Sequence, residues 1–168
     1  MKRDSVVAIV KSLNENGVQY LIVGGLAVVA HGYVRFTADV DLLLSVEPDN
    51  LKRAVQALKL LGYRPRAPVS FDDFSDASKR QQWAREKNMT VFSLFSDAHA
   101  ATEIDVFLEP PIHFGEAYTR AVRHEVAPET AATFCSLEDL IELKTLSGRP
   151  EDHADIQKLR ELRKDAHE

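Results

Sequence analysis

Two aspartates separated by a single residue, Asp39 and Asp41, form the pattern in this sequence with the clearest chemical use. On a β-strand they would point to the same side, with about 6.5–7 Å of backbone rise between them. At close range two such charges repel by about 4 kcal/mol at an effective dielectric constant near 20. A divalent cation removes that penalty, and Mg²⁺ prefers oxygen ligands. The spacing therefore favours a site for Mg²⁺, or for Mn²⁺ in its place.

A third carboxylate, Asp105, stands on a later stretch that alternates like a strand. Ile104 and Val106 fall on one side of that stretch, which leaves Asp105 on the other side. We expect Asp105 to lie near Asp39 and Asp41 and to join them as a metal ligand.

A pair of glycines, Gly24 and Gly25, follows the short apolar run Tyr20–Val23 and precedes a helical segment, residues 26–30. Adjacent glycines let the backbone turn sharply and approach a ligand without a side-chain clash. Their N–H groups, at the start of a helix, would point toward an anion such as a triphosphate. We therefore expect a phosphate-binding turn here.

The elements that must position these groups read as a mixture of strands and helices. The predicted strands are residues 20–23, 39–46, 89–95 and 102–108, while residues 125–134 read as irregular or as a short edge strand. The predicted helices are residues 4–15 with Asp4 as their cap, 26–30, 48–61, 76–86, 114–122, 136–147 with Ser136 as their cap, and a last one from Pro150. This pattern predicts an α+β fold, with one mixed sheet and helices packed on it.

Length and composition support one domain over residues 1–168, with its core in residues 18–110 and C-terminal helices, residues 136–165, packed on that core. The longest apolar stretch, residues 21–30, is interrupted by glycines and is far too short to span a bilayer. The N-terminus lacks the apolar core of a secretory signal, and the single cysteine, Cys135, cannot form an intramolecular disulfide. We expect a cytoplasmic location and no membrane partner.

The net charge of −5 argues against extended, sequence-independent binding of nucleic acid, which needs a basic surface. Basic residues between Arg64 and Lys87 could still accommodate a tRNA end, although a solvated loop and helix face is the favoured interpretation of that segment.

The sequence contains three motifs that carry a family resemblance, Gly24-Gly25, Arg35-x-Thr37-x-Asp39-x-Asp41 and Glu103-Ile-Asp105-Val. On these motifs the sequence resembles the nucleotidyltransferase superfamily. Two later motifs, Asp139-Leu-Ile-x-Leu-Lys144 and Gly148-Arg149-Pro-x-Asp152-x-x-Asp155, are similar to those of its small bacterial branch. That branch comprises minimal nucleotidyltransferases and the AbiEii-like proteins of toxin–antitoxin and phage-defence systems. The resemblance implies a mixed sheet flanked by helices.

The resemblance also implies a reaction, in which a nucleoside monophosphate passes from a nucleoside triphosphate such as ATP to an acceptor and pyrophosphate is released. By this resemblance Asp39, Asp41 and Asp105 bind the metal ions, and Asp105 can take the proton of the acceptor. Catalysis would rest mainly on positioning and charge neutralisation.

Other positions are implied to bind the nucleotide. Lys144 would contact a phosphate, and Asp155 or Asp152 would orient that lysine. Arg35 and Thr37 are also predicted to bind the nucleotide. Arg35 could instead only pair with a carboxylate, and Thr37 could instead only stiffen the start of the strand. Gly24 and Gly25 would hold the triphosphate, although many members have serine at the second position.

Three functions remain open at this stage. The first is an enzyme that modifies a protein side chain, a tRNA end or a small molecule. The second is a catalytically weak or inactive partner subunit of a toxin–antitoxin or phage-defence pair. The third is a metal-dependent phosphohydrolase, which is disfavoured because no histidine pairs at ligand spacing with Asp39 or Asp41.

Overall fold

A mixed seven-stranded β-sheet forms the centre of the computed structural model, which describes residues 1–167. Its strands are β1 (Tyr20–Val23), β2 (Asp39–Leu44), β3 (Arg64–Pro65), β4 (Val91–Phe95), β5 (Glu103–Phe107), β6 (Val122–Ala127) and β7 (Thr130–Phe134). Across the sheet they follow the order β3-β4-β5-β2-β1-β7-β6. The pairs β1–β7 and β2–β5 are parallel, and the other neighbours are antiparallel.

Helices flank this sheet, so the predicted α+β fold is confirmed. They are α1 (Arg3–Glu15), α2 (Gly24–Ala30), α3 (Pro48–Lys59), α4 (Ala77–Glu86), α5 (Phe114–Thr119), α6 (Leu137–Ser147) and α7 (Pro150–Asp165), with a 3-10 helix at Phe71–Ser75. Within residues 1–167 no helix combines the length and the apolar character that crossing a bilayer requires.

One face of the sheet is fully covered and holds the larger part of the core. The residues of β2 and β5 that point to this face are buried, among them Val40 and Ile104. On β4, Phe92 stacks against Trp83 of α4, with 5.2 Å between the ring centroids. Helices α1 and α3 lie on the same side and are joined by a hydrogen bond from the Ser12 hydroxyl to the Ala57 carbonyl.

The opposite face is covered by α2 and α6 only in part. Because side chains alternate along a strand, the residues between the core positions of β2 and β5 point to this face. Asp39, Asp41 and Asp105 all do so and are half-buried. The same two strands therefore build the core on one side and a polar cleft on the other.

The sequence predicts that residues 125–134 are irregular or a short edge strand. Residues 125–127 do belong to the edge strand β6, but the segment is not irregular, because β6 and β7 form a hairpin with a register shift between Glu125 and Ala127. Glu129 turns the chain with φ at 61°, and β7 then pairs with β1 inside the sheet. The outer strand β6 carries polar, exposed side chains such as His124 and Glu125, so it lacks the apolar alternation that marks a strand in the sequence.

Smaller differences concern the ends of elements. Asp4 does not cap α1, because the cap residue is Lys2 and Asp4 lies in the first helical turn. Strand β2 ends at Leu44, two residues before the predicted end. The predicted cap of α6 is confirmed, since the Ser136 side chain accepts a hydrogen bond from the Asp139 amide.

Candidate active site

One row of side chains crosses the polar face of the sheet and contains two of the predicted carboxylates. Strands β2 and β5 are paired in parallel so that Asp41 lies directly beside Asp105. On the two flanking strands, Val23 is the partner of Asp41 and Ser93 is the partner of Asp105. Asp39 lies two residues before Asp41 on the same side of β2. The structure thus brings Asp39, Asp41 and Asp105 together, as the alternation predicted.

Burial and the neighbouring negative charges make ionisation of Asp39 and Asp41 less favourable. Burial, followed by the negative charges of Asp105 and Asp39, raises the pKa of Asp41 to about 7. Burial and the charges of Asp105 and Glu103 also raise the pKa of Asp39. Among residues 1–167, none of the three carboxylates forms an ion pair with a lysine or arginine. This cluster is therefore short of positive charge and is suited to attract a cation.

Ser93 fixes the orientation of Asp105. Its hydroxyl donates a hydrogen bond of 2.5 Å to Oδ1 of that carboxylate. Because the bond occupies one oxygen, the other oxygen of Asp105 is the one left for a ligand. Nothing in the sequence marks Ser93, since its contact depends on the register between β4 and β5.

The glycine pair is needed because side chains pass very close to its backbone. Gly24 has φ at +66°, and a Cβ atom placed on it would lie 2.0 Å from Oδ2 of Asp41. A Cβ on Gly25 would lie 2.6 Å from Oγ1 of Thr37. A serine at position 25 would therefore collide with Thr37, whose hydroxyl occupies that space instead. This contact favours glycine at position 25.

Lys144 of α6 is held in a buried ion-pair network beside the carboxylate row. Its side chain is only 5% exposed, and Nζ lies 3.1 Å from Oδ1 of Asp152 and 2.8 Å from Oδ2 of Asp155. Both partners lie on α7. The sequence predicts that Asp155 or Asp152 orients Lys144, and both aspartates contact it here, while a contact of Lys144 with phosphate stays a prediction.

Two arginines complete this network. Arg35, from the loop before β2, pairs with Asp155. Arg149 is the N-cap of α7, and its side chain and backbone N–H both donate hydrogen bonds to Asp152, the third residue of that helix, in a capping box. Burial opposes ionisation of Asp152, but its hydrogen bonds with Lys144 and its neighbours outweigh that effect and lower the pKa of this carboxyl.

The cleft above the carboxylates has two parts, which share Asp41, Asp105, Lys144 and Arg149. The polar lobe, of about 270 Å³, is lined by Gly25, Arg35, Phe36, Thr37, Ala38, Asp39 and Glu151 in addition to these shared residues. The apolar lobe, of about 280 Å³, is lined in addition by Val23, Gly24, Thr90, Val91, Phe107, Leu140, Leu143, Ser147 and Asp152. The carboxylates therefore stand where a polar and an apolar chamber meet.

The carboxylates do not form a closed metal cage. Within residues 1–167 no three side chains of histidine, cysteine, aspartate or glutamate converge closely enough to hold a metal ion by themselves. Mg²⁺ in nucleotide sites is commonly held by one or two carboxylates together with substrate phosphates and water. Asp41 and Asp105, side by side and without a cationic partner, fit that second arrangement.

Most of the residues predicted from the sequence line the cleft, with one exception. Asp155 lies behind it and reaches the cleft only through Arg35 and Lys144. Sequence reasoning assigned no role to Arg149, which lines both lobes. The available signal was its place between Gly148 and Pro150, where one helix ends and the next begins.

Comparison with models of known protein families gives a match. A family described as "nucleotidyltransferase of unknown function" (DUF6036) matches residues 4–164, which is nearly the whole chain. No curated protein matches the chain. The predicted likeness to the nucleotidyltransferase superfamily is confirmed, while the narrower likeness to AbiEii-like proteins stays a prediction.

Proposed function

The chain belongs to this family of nucleotidyltransferases, and from that premise we propose that it transfers a nucleoside monophosphate from a nucleoside triphosphate to an acceptor, with release of pyrophosphate. The observation that carries the proposal is the cleft itself. It combines carboxylates without a cationic partner, Asp41 and Asp105, with the cationic side chains of Lys144 and Arg149, and all four residues line both lobes. Such a site can hold both a cation and an anionic phosphate chain.

The polar lobe is the better place for the triphosphate. Arg35, Lys144 and Arg149 bring positive charge to it, and Thr37 contributes a hydroxyl beside the backbone of Gly25. Arg35 and Lys144 are held by Asp155, so they are ordered before a ligand arrives. Preorganised charges of this kind stabilise a transferring phosphoryl group without a reorganisation cost.

Asp39, Asp41 and Asp105 would supply ligands to Mg²⁺, or Mn²⁺, together with phosphate and water, since these three carboxylates do not form a metal cage by themselves. When bound there, the cation would supply positive charge between the carboxylates and the phosphates. The raised pKa values of Asp39 and Asp41 support this role, because a cation would lower both.

Asp105 is the residue we assign to the acceptor. Its Oδ1 is held by Ser93, so the remaining oxygen can accept the proton of an acceptor hydroxyl group. Its position in both lobes supports this role, because the triphosphate and an approaching acceptor would meet there.

The proposal is tested by following label from each α-³²P-labelled nucleoside triphosphate, with Mg²⁺, into the components of a cell extract. We expect the wild type and the surface variant Asp97→Asn to transfer label and Asp41→Asn to lose transfer. Equal transfer by Asp41→Asn and the wild type would contradict the proposal.

A second candidate function, a partner subunit in a protein pair, has one observation in its favour. Val34 and Phe36 are 84% and 81% exposed on the loop between α2 and β2, at the rim of the polar lobe. Exposed apolar side chains of this size are common at protein interfaces. If this function holds, Phe36→Asp abolishes co-purification with the product of a neighbouring gene, while Leu60→Asp, at an exposed site remote from the rim, does not.

A further inference from the structure

The apolar lobe lies next to a second chamber, with which it shares part of its wall. This outer groove, of about 500 Å³, lies between β5 and α6 and is lined by Ala84, Met89, Thr90, Phe107, Leu108, Glu109, Pro111, Leu143, Leu146 and Ser147. Phe107 and Leu143 line both chambers. The two chambers are therefore adjacent, and the outer groove reaches the surface, where Leu146 is 59% exposed.

The chemistry of the outer groove differs from that of the polar lobe. Of the described residues that line it, none is lysine or arginine. Its one acidic residue, Glu109, is already paired with Arg80. Apolar walls with a few hydroxyl groups, in a chamber of a few hundred Å³, are typical of sites for small organic molecules. Within the outer groove a polyanion such as RNA would find no positive charge, because the basic residues Lys144 and Arg149 line the apolar lobe and not this groove.

The geometry of phosphoryl transfer constrains where the acceptor can approach, and this constraint assigns a role to the two chambers. The attacking and leaving oxygens lie roughly in line on opposite sides of the phosphorus atom. The proposed function places the leaving pyrophosphate in the polar lobe, and Asp41 and Asp105 stand where the two lobes meet. The attacking oxygen must then approach from the apolar lobe.

We propose that the apolar lobe and the outer groove together bind the acceptor, and that the acceptor is an uncharged, largely apolar small molecule with a hydroxyl group. This inference rests on the proposed function. The hydroxyl oxygen forms a bond to the α-phosphorus, and the bond from that phosphorus to the bridging oxygen breaks. Pyrophosphate leaves with the electron pair, and the hydroxyl proton passes to Asp105.

The site can be tested with N-phenyl-1-naphthylamine, a neutral apolar dye whose fluorescence rises when it leaves water. We expect saturable binding to the wild type and binding weakened by about tenfold in Leu146→Glu, which places a charge in the outer groove. Leu146 is exposed, so this variant should fold, and the exposed Val34→Glu serves as a matched control that keeps wild-type binding.

A third variant identifies where the dye binds. Leu60 lines a separate groove between α3 and the 3-10 helix. Loss of dye binding in Leu60→Glu but not in Leu146→Glu would place the dye in that groove and overturn the inference.

A measurement of nucleotide binding distinguishes a failure of this inference from a failure of the proposed function. We expect calorimetry with Mg²⁺ and a nucleoside triphosphate to give the same affinity for the wild type and Leu146→Glu, and we expect the dye to stay bound.

Displacement of the dye by the nucleotide would identify the apolar lobe as a nucleobase site and overturn the inference. Label transfer to a short RNA, unchanged in Leu146→Glu, would also overturn it. No nucleotide binding by the wild type would instead contradict the proposed function.

Discussion

The surroundings of Asp41 affect both the proposed binding of a cation and the stability of the fold. Asp41 lies between Asp105 on the next strand and Gly24, whose backbone leaves room for its carboxylate. Burial and the nearby carboxylates raise the pKa of Asp41 to about 7, from a usual value near 3.8. In the absence of a cation, the folded protein therefore binds a proton here more tightly than the unfolded chain does.

This difference predicts how stability changes with pH. Because the folded state holds the extra proton, the contribution of Asp41 is fully present at low pH and is lost as pH rises between about 4 and 7. The variant Asp41→Asn removes the buried charge. In metal-free buffer we expect it to raise the free energy of unfolding at pH 8 by about 2 kcal/mol, about half of what the full pKa shift corresponds to, because solvent still reaches the carboxylate. Urea unfolding at pH 5 and at pH 8 measures the effect, which should be much smaller at pH 5.

Asp97→Asn is the control for this prediction, since Asp97 is exposed on a turn. We expect its stability to follow the wild type at both pH values. A stability of Asp41→Asn that is equal to or lower than that of the wild type at pH 8 would contradict the electrostatic account of the site.

At the scale of elements, the turn from β1 into α2 depends on the closeness of Gly24 to β2. Gly17 and Gly24 both have φ at +66°, but a Cβ on Gly17 would meet no atom within 4 Å. A Cβ on Gly24 would meet Asp41 at 2.0 Å. This pair separates backbone strain from steric contact.

We expect Gly17→Ala to cost about 1 kcal/mol, which is the strain of a side chain at positive φ. Gly24→Ala should cost about 3 kcal/mol, because overpacking against Asp41 is added to the same strain. Denaturant unfolding of both variants, in parallel with the wild type, measures the difference. Equal losses would show that the contact with Asp41 has no energetic weight.

The junction of α6 and α7 rests on a second arrangement, in which Lys144 joins Asp152 and Asp155. Asp152 is 0% exposed, so removal of the lysine would leave a buried carboxylate without its nearest cation. We expect Lys144→Met to lose about 3 kcal/mol of unfolding free energy, as is usual when one partner of a buried ion pair is removed. Thermal or urea unfolding measures this loss.

Lys158→Met is the matched control, because Lys158 pairs with Glu161 on the exposed side of the same helix. Its stability should equal that of the wild type. If Lys144→Met is as stable as this control, the buried network does not hold α6 and α7 together.

The elements also show what the sequence can and cannot predict. Alternation along residues 39–44 and 103–107 placed the aspartates on one side of each strand, and the structure confirms this. The pairing of Asp41 with Asp105, and of Asp105 with Ser93, depends on strand order and register, which alternation does not encode. Asp105 could still be selected because its strand resembles a family motif.

Other features were missed because their sequence signals are weak. The strand β6 is polar and exposed, so its pattern is that of a loop. Arg149 gains its place in the cleft from the tight passage between α6 and α7, since Gly148 at φ 63° ends one helix and Pro150 begins the next.

At the scale of the whole molecule, one face of the sheet forms the main core, while the other face carries the candidate active site. One face is buried under α1, α3 and α4, and the other presents charged groups in a cleft that α2 and α6 leave open. The cleft is lined both by acidic residues of the strands and by the basic residues Lys144 and Arg149 from the C-terminal part of the chain. This arrangement suits a ligand that carries a cation and phosphates together.

The most direct test of the central claim is calorimetric titration of each of the four ribonucleoside triphosphates, with and without Mg²⁺, into the wild type and into the double variant Asp39→Ala/Asp41→Ala. We expect the wild type to bind at least one triphosphate, only when Mg²⁺ is present, and the double variant to bind none. No binding of any triphosphate to the wild type, or equal binding by the double variant, would contradict a working nucleotide site at these carboxylates.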